Sequence, residues 1–166
     1  MNQTLDKYLC KALDTYDYNL SEAVEAIDYA LAYDKENPIA LCLMGQMYAH
    51  HIKNYELAKE YFQRALARDM QAIYIYPKYI DVLLWNEDLN EAQKLIDFAL
   101  TVKGTDKAEL HLKNALVFEH KKEYAQALKH IEMAKEYTYN NEYMTDIQCE
   151  ENRIKNKKER TDSMNN

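Results

Sequence analysis

The histidines are the first residues of this chain to consider for chemistry, because imidazole groups bind metals and move protons near neutral pH. His50 and His51 are adjacent, and His120 lies far along the chain. Neighbouring residues on a helix point about 100° apart, so His50 and His51 are poorly placed to share one ion. The sequence therefore predicts no metal site.

The sequence also lacks the motifs of catalysis. It has no phosphate-binding loop, no Gly-x-Ser-x-Gly and no His-Glu-x-x-His, and its two glycines cannot form a Gly-rich cradle. Cys10, Cys42 and Cys149 are an odd number of cysteines without Cys-x-x-Cys spacing, which favours reduced thiols in a cytoplasm over a disulfide framework. We therefore predict a cytoplasmic protein that is not an enzyme and needs no cofactor.

The amino-acid composition indicates that helices must position any binding residues. The chain has 166 residues, of which 48% are hydrophobic and 30% charged, with only two glycines and two prolines. Because turn-forming residues are scarce, β-hairpins are disfavoured, and the composition favours helix almost throughout. A net charge of −7 argues against nucleic-acid binding. No apolar run is long enough to cross a membrane, and the N-terminus does not resemble a signal peptide.

One phrase recurs four times: an alanine, a large apolar residue four positions on, and a second alanine three further. The spacings between copies are 35, 34 and 35 residues, a period typical of stacked repeats. On a helix the phrase forms one apolar stripe, which must be buried against a neighbouring repeat. The copies are Ala23-x3-Ile27-x2-Ala30, Ala58-x3-Phe62-x2-Ala65, Ala92-x3-Ile96-x2-Ala99 and Ala127-x3-Ile131-x2-Ala134.

A second periodic pattern precedes each phrase and suggests a family. Cys10, Gly45, Ile80 and Ala115 fall in register, and so does the row of Leu13, Tyr48, Leu83 and Phe118. With the phrase, these rows resemble the tetratricopeptide repeat (TPR), a 34-residue helical hairpin with the pattern W-x2-L-G-x2-Y, A-x3-F, P. The resemblance covers residues 4 to about 137 and is strongest in the second unit. The missing Trp and closing Pro indicate a divergent array.

The resemblance implies an all-α, right-handed α-solenoid of about four TPR-like hairpins and a C-terminal capping helix. We expect a single array over residues 1–160, with units at about 3–35, 38–69, 72–103 and 107–137. The capping helix is expected at 141–158, and residues 159–166 form a frayed polar tail. The predicted helices are 3–17, 21–34, 38–51, 55–68, 72–86, 89–102, 107–121, 124–137 and 141–158.

Pro77 lies inside the fifth predicted helix, so either that helix begins late or it bends there.

In TPR proteins the first helices of the hairpins line a concave groove that holds a partner peptide. Carried over by resemblance, the partner-binding groove here comprises Lys7, Lys11, Cys42, Gln46, His50, Tyr74, Asp81, Trp85, Leu112, Leu116 and His120. Trp85, the only tryptophan, could anchor a partner or pack between units as core.

The leading hypothesis is a non-enzymatic scaffold for protein–protein interaction, binding a peptide or protein in this groove. One alternative is a dedicated chaperone or immunity-type partner of a secreted or toxic protein. Another is a self-assembling structural array. We expect a protein or peptide partner, no nucleic acid, no membrane, and a monomer or homodimer.

Overall fold

The computed structural model describes residues 3–164, with side chains from Lys7 onward. Over these residues the chain forms nine α-helices and one π-helical turn, and it contains no strand, which confirms the all-α prediction. The elements are α1 (Gln3–Thr15), α2 (Leu20–Tyr33), α3 (Pro38–Met47), the π turn (Tyr48–Ile52), α4 (Tyr55–Arg68), α5 (Ile75–Trp85), α6 (Leu89–Ala99), α7 (Lys107–His120), α8 (Tyr124–Glu136) and α9 (Asn141–Met164).

Side-chain caps begin several of these helices. The Asn19 side chain accepts a hydrogen bond from the Glu22 amide, and its amide group donates to the Glu22 carboxylate at 2.9 Å. Asn37 accepts from two amides at the start of α3, with Pro38 at the first helical position. Each such bond satisfies a backbone N–H that has no partner within the helix.

Asp88 departs from this pattern. It precedes α6, but its side chain makes no capping bond to that helix. Its carboxylate instead accepts from the Asn86 side-chain amide at 2.7 Å.

Helix α5 begins late, which decides between the two readings of Pro77. Its first residue is Ile75, so Pro77 is in the first turn, where a missing N–H costs no helical hydrogen bond. Residues 71–74 are turn or irregular rather than helical.

The end of the predicted helix 38–51, in the second predicted repeat, is not α-helical. Tyr48–Ile52 form a π-helical turn, and Lys53 follows in the left-handed conformation with φ 60. Gly45 precedes Ala58 by 13 residues, whereas Ala115 precedes Ala127 by 12. A π turn holds one more residue than an α turn and accommodates the extra residue here. In the first hairpin, where Cys10 also precedes Ala23 by 13 residues, there is no π turn and the extra residue lies in the connection between α1 and α2.

The structure divides into two compact units, Met1–Val82 and Leu83–Asn166, and the division falls within α5. In the first unit, α1 and α2 form one helical hairpin, and α3 and α4 form the next. Both copies of the alanine phrase in this unit are completely buried at each of their three named positions. These are Ala23, Ile27 and Ala30 in the first copy and Ala58, Phe62 and Ala65 in the second. The apolar stripe is therefore core, as its spacing predicts.

In the second unit α7 and α8 form a hairpin, and α9 packs along α8. Ile147 and Ile154 of α9 are fully buried beside Ile131, which agrees with a helix that covers the last hairpin. Helix α9 continues to Met164, so residues 159–164 are helical where the sequence predicted a frayed tail. Residues 165 and 166 of that predicted tail lie outside the described residues.

Candidate functional site

The first unit contains a hollow of about 400 Å³ between the end of α1, the exposed face of α3 and the start of α5. We call it the first hollow. Three apolar side chains on its wall are exposed: Leu13 by 52%, Ile39 by 36% and Tyr74 by 39%. Exposed apolar side chains around a concave surface are typical of sites that bind a partner.

One group of polar side chains in the first hollow lies on α3 and α5. Lys78 Nζ donates to Gln46 Oε1 at 2.8 Å, and Gln46 Nε2 lies 3.8 Å from Cys42 Sγ. Among the described residues Lys78 has no carboxylate partner, although Asp17 also lies on the wall of the hollow. Burial raises the pKa of Cys42 to about 12, which keeps the thiol protonated and unreactive.

Tyr16 also lines the first hollow, and its hydroxyl is buried with no hydrogen-bond partner in the described part of the chain. Burial raises the pKa of Tyr16 to about 12, so the hydroxyl stays neutral and can both donate and accept. An unsatisfied buried polar group costs free energy unless a bound group or water supplies the missing bond.

The π turn brings His50 to the rim of the first hollow and His51 against the Tyr16 ring, with centroids 6.0 Å apart. Burial lowers the pKa of His50, and the positive charge of Lys53 lowers it further while Asp81 opposes this. His50 is therefore neutral at physiological pH and acts in the hollow as a polar aromatic group.

The second unit contains its own hollow, of about 800 Å³, between the end of α7, the start of α8 and α9. We call it the second hollow. Leu116 and His120, both predicted groove residues, lie on its wall. Arg153 and Lys157 of α9 line it too, and both contact the carboxylate of Glu119.

The predicted groove residues are thus distributed over separate places. Cys42, Gln46, His50 and Tyr74 meet in the first hollow, and Leu116 and His120 in the second. The remaining five line neither hollow: Lys7, Lys11, Asp81, Trp85 and Leu112.

Those five have varied surroundings. Lys11 pairs with Glu22 at 2.9 Å, while Lys7 is exposed. Leu112 packs against the core of the second unit. Trp85 is 45% exposed, so it is a surface residue of its unit rather than core.

No described helix is both long and apolar enough to span a membrane. Within residues 3–164 no three His, Cys, Asp or Glu side chains are grouped as ligands for a metal ion.

Comparison with known proteins identifies the repeat. Residues 19–73 match the family model described as tetratricopeptide repeat. Residues 19–73 therefore contain tetratricopeptide-repeat sequence.

Solved structures extend the similarity to most of the length of this chain. It resembles PilF of Pseudomonas aeruginosa with a TM-score of 0.76 at 20% identity, over 93% of this chain and 73% of that one. It resembles MamA residues 41-end from Desulfovibrio magneticus RS-1 with a TM-score of 0.76 at 14% identity, over 98% and 92% of the two chains. At these identities the similarity shows the TPR solenoid fold alone. No curated protein matches the chain.

A histidine pair in the second unit, with His111 buried and His130 half-buried, was not predicted from the sequence, where only His50, His51 and His120 were considered. His111 is 5% exposed, and its Nδ1 lies 3.3 Å from Nδ1 of His130. The ring of Tyr137 stacks on His111 and that of Phe118 on His130. The available signal was that His111 and His130 occur on consecutive predicted helices of one hairpin, which therefore pack together.

The histidine pair should make stability depend on pH. Burial lowers the pKa of both rings; the neighbouring ring and Lys107 lower that of His111 further, while Asp97 opposes the shift at His130. A folded pKa below the unfolded value of about 6.5 means that folding favours the neutral form. The contribution of the neutral rings to stability is therefore fully present above a pH of about 6.5. It should be lost as pH decreases from 7 to 5, which would be measured as a lower thermal midpoint.

The variant His130→Gln removes one titrating ring and should flatten that slope. The buried carboxylates do not interfere, since the pKa values of Glu119 and Glu151 are lowered and these groups titrate below the window. An equal slope in wild type and variant would contradict the assignment to this pair.

Proposed function

We propose that this chain is a non-enzymatic protein–protein interaction module that holds a peptide segment of its partner in the first hollow. The observation that carries the proposal is the combination of exposed apolar side chains with an unsatisfied Tyr16 hydroxyl in one concave place. TPR proteins generally bind proteins or peptides, which agrees with this use of the surface.

The surroundings indicate what the segment should offer. Leu13, Ile39 and Tyr74 would bury an apolar side chain, and removing such a side chain from water stabilises a complex by about 1.5–3 kcal/mol. Lys78 would donate to a carbonyl or carboxylate oxygen, and the Tyr16 hydroxyl would complete its hydrogen bonding with a backbone group. The protonated thiol of Cys42 supplies no nucleophile.

Site-specific photo-crosslinking in the source cell tests the proposal. A benzophenone amino acid at Tyr74 should capture a defined partner protein. The matched control carries the same amino acid at Tyr33, a more exposed tyrosine of the same unit that does not line the hollow. Identical crosslinked proteins at both positions would contradict a specific site.

With that partner purified, Leu13→Asp should weaken binding at least tenfold, because a carboxylate replaces an apolar contact. The thermal midpoint should change little, since Leu13 is half-exposed already. Tyr18→Asp, at a more exposed position of the same unit, serves as the control and should bind normally. Unchanged affinity of the Leu13 variant would exclude this hollow as the binding site.

A further inference from the structure

The second hollow carries a concentration of positive charge in a chain whose net charge is −7. Four cationic side chains line it, against the carboxylate of Glu119 on its wall and that of Glu150, which pairs with Arg153, a surplus of two positive charges. The cationic residues are Lys122, Arg153, Lys157 and Arg160.

Two of these cations are held in place by Glu119. Its side chain is only 5% exposed, and its carboxylate accepts from Arg153 Nε at 3.0 Å and from Lys157 Nζ at 2.8 Å. Burial alone would raise the pKa of Glu119, but the hydrogen bonds from Arg153 and Lys157 outweigh it and lower the pKa. Glu119 therefore remains charged and orients both cations, which remain 43% and 48% exposed.

The other two cations are not neutralised. Lys122 follows α7 in the left-handed conformation with φ 62, and Arg160 is seven residues beyond Arg153 on the same helix. In the part of the chain that the structure describes, neither has a carboxylate partner. Arg153, Lys157 and Arg160 are spaced by four and three residues, so they share one face of α9.

We propose that the second hollow binds a segment of a protein partner that is rich in aspartate and glutamate. Oriented Arg and Lys side chains form charge-assisted hydrogen bonds with carboxylates. Leu116 and Tyr124 on the wall provide apolar contact for the methylene groups of such a segment. A protein segment is favoured over a nucleic acid because a short acidic segment can place its carboxylates within the one basic hollow, whereas an extended polyphosphate would also run over the acidic surface beyond it.

This site is independent of the proposed function of the first hollow, since it lies in the other unit and shares no residue with it. Either site can therefore fail in experiment without affecting the other.

The probe for the test is a fluorescein-labelled peptide of ten glutamates, with binding followed by fluorescence anisotropy at low and at physiological salt. The full chain should bind it, and binding should weaken as salt increases. The double variant Lys122→Glu/Arg160→Glu should bind at least tenfold more weakly. It should still fold, because Glu87 already occupies a left-handed position with φ 60 and neither Lys122 nor Arg160 contacts Glu119 through its side chain.

The matched control is Lys94→Glu/Lys103→Glu, which makes the same change of net charge at two exposed positions of the same unit outside the hollow. Near-wild-type binding by the control supports a defined site. Three results would overturn the proposal: no binding by the wild type, equal weakening in both double variants, or tighter binding of a ten-nucleotide oligothymidylate that depends on the same residues.

Discussion

Phe62→Ala should lower the free energy of unfolding by about 3–5 kcal/mol, the range for emptying a buried phenylalanine site. Phe62 is completely buried, and its ring stacks on Tyr79 with centroids 5.6 Å apart and planes 13° apart. The Phe62 ring also lies close to Gly45, where an added Cβ would be 3.0 Å from Cε2 of the ring. Helix packing is so close there that the cavity cannot collapse without moving backbone.

Chemical denaturation followed by circular dichroism measures this loss. Phe98→Ala is the matched control, because Phe98 is 44% exposed and its truncation leaves no enclosed cavity. We expect the control to cost less than about 1 kcal/mol. Equal effects of the two variants would mean that the Gly45–Phe62–Tyr79 contact does not hold the first unit together.

Ile147→Asp should destabilise the second unit by at least about 4 kcal/mol, because it removes a buried apolar side chain and places a carboxylate in the core. Ile147 is completely buried on α9 and packs in a cluster with Ala127 and Ile131. In a repeat protein the terminal helix covers an apolar stripe that would otherwise face water. The variant should therefore detach α9, detected as rapid proteolysis within residues 141–164.

The control for this result is Gln148→Asp, which adds the same charge at the next residue of α9, on an exposed position. It should leave proteolysis and the thermal midpoint close to those of the wild type. Comparable proteolysis of both variants would show that α9 does not depend on burial of Ile147.

Local features determined the helices, so their positions could be predicted closely. The alanine phrases mark the second helices because a 3.6-residue period creates one apolar stripe, and all twelve phrase residues are fully buried. Capping side chains such as Asn19 and Asn37 act on their own first turn. These caps do not depend on contacts with residues distant in the sequence, which is why their helix starts could be recognised locally.

The ends of helices were less predictable where two arrangements were locally possible. Periodicity did not predict the π turn at Tyr48–Ile52 in place of a further α turn. Pro77 was compatible with a late start or a bend, and the structure has the late start. Packing of the following helix decides such cases, since an extra residue must be accommodated without shifting the buried stripe.

By itself the sequence determined the fold class of this protein: an all-α helical repeat with a buried alanine stripe, since the hydrophobic period is a property of each helix. Only the tertiary structure decided where a partner could bind. It brought Leu13 of α1 close to Lys78 of α5 and to Tyr74, which precedes α5. It also brought Glu119 of α7 to Arg153 and Lys157 of α9. It also left Trp85 on the surface. These contacts depend on how helices pack and how far each side chain reaches, which a repeat period does not specify.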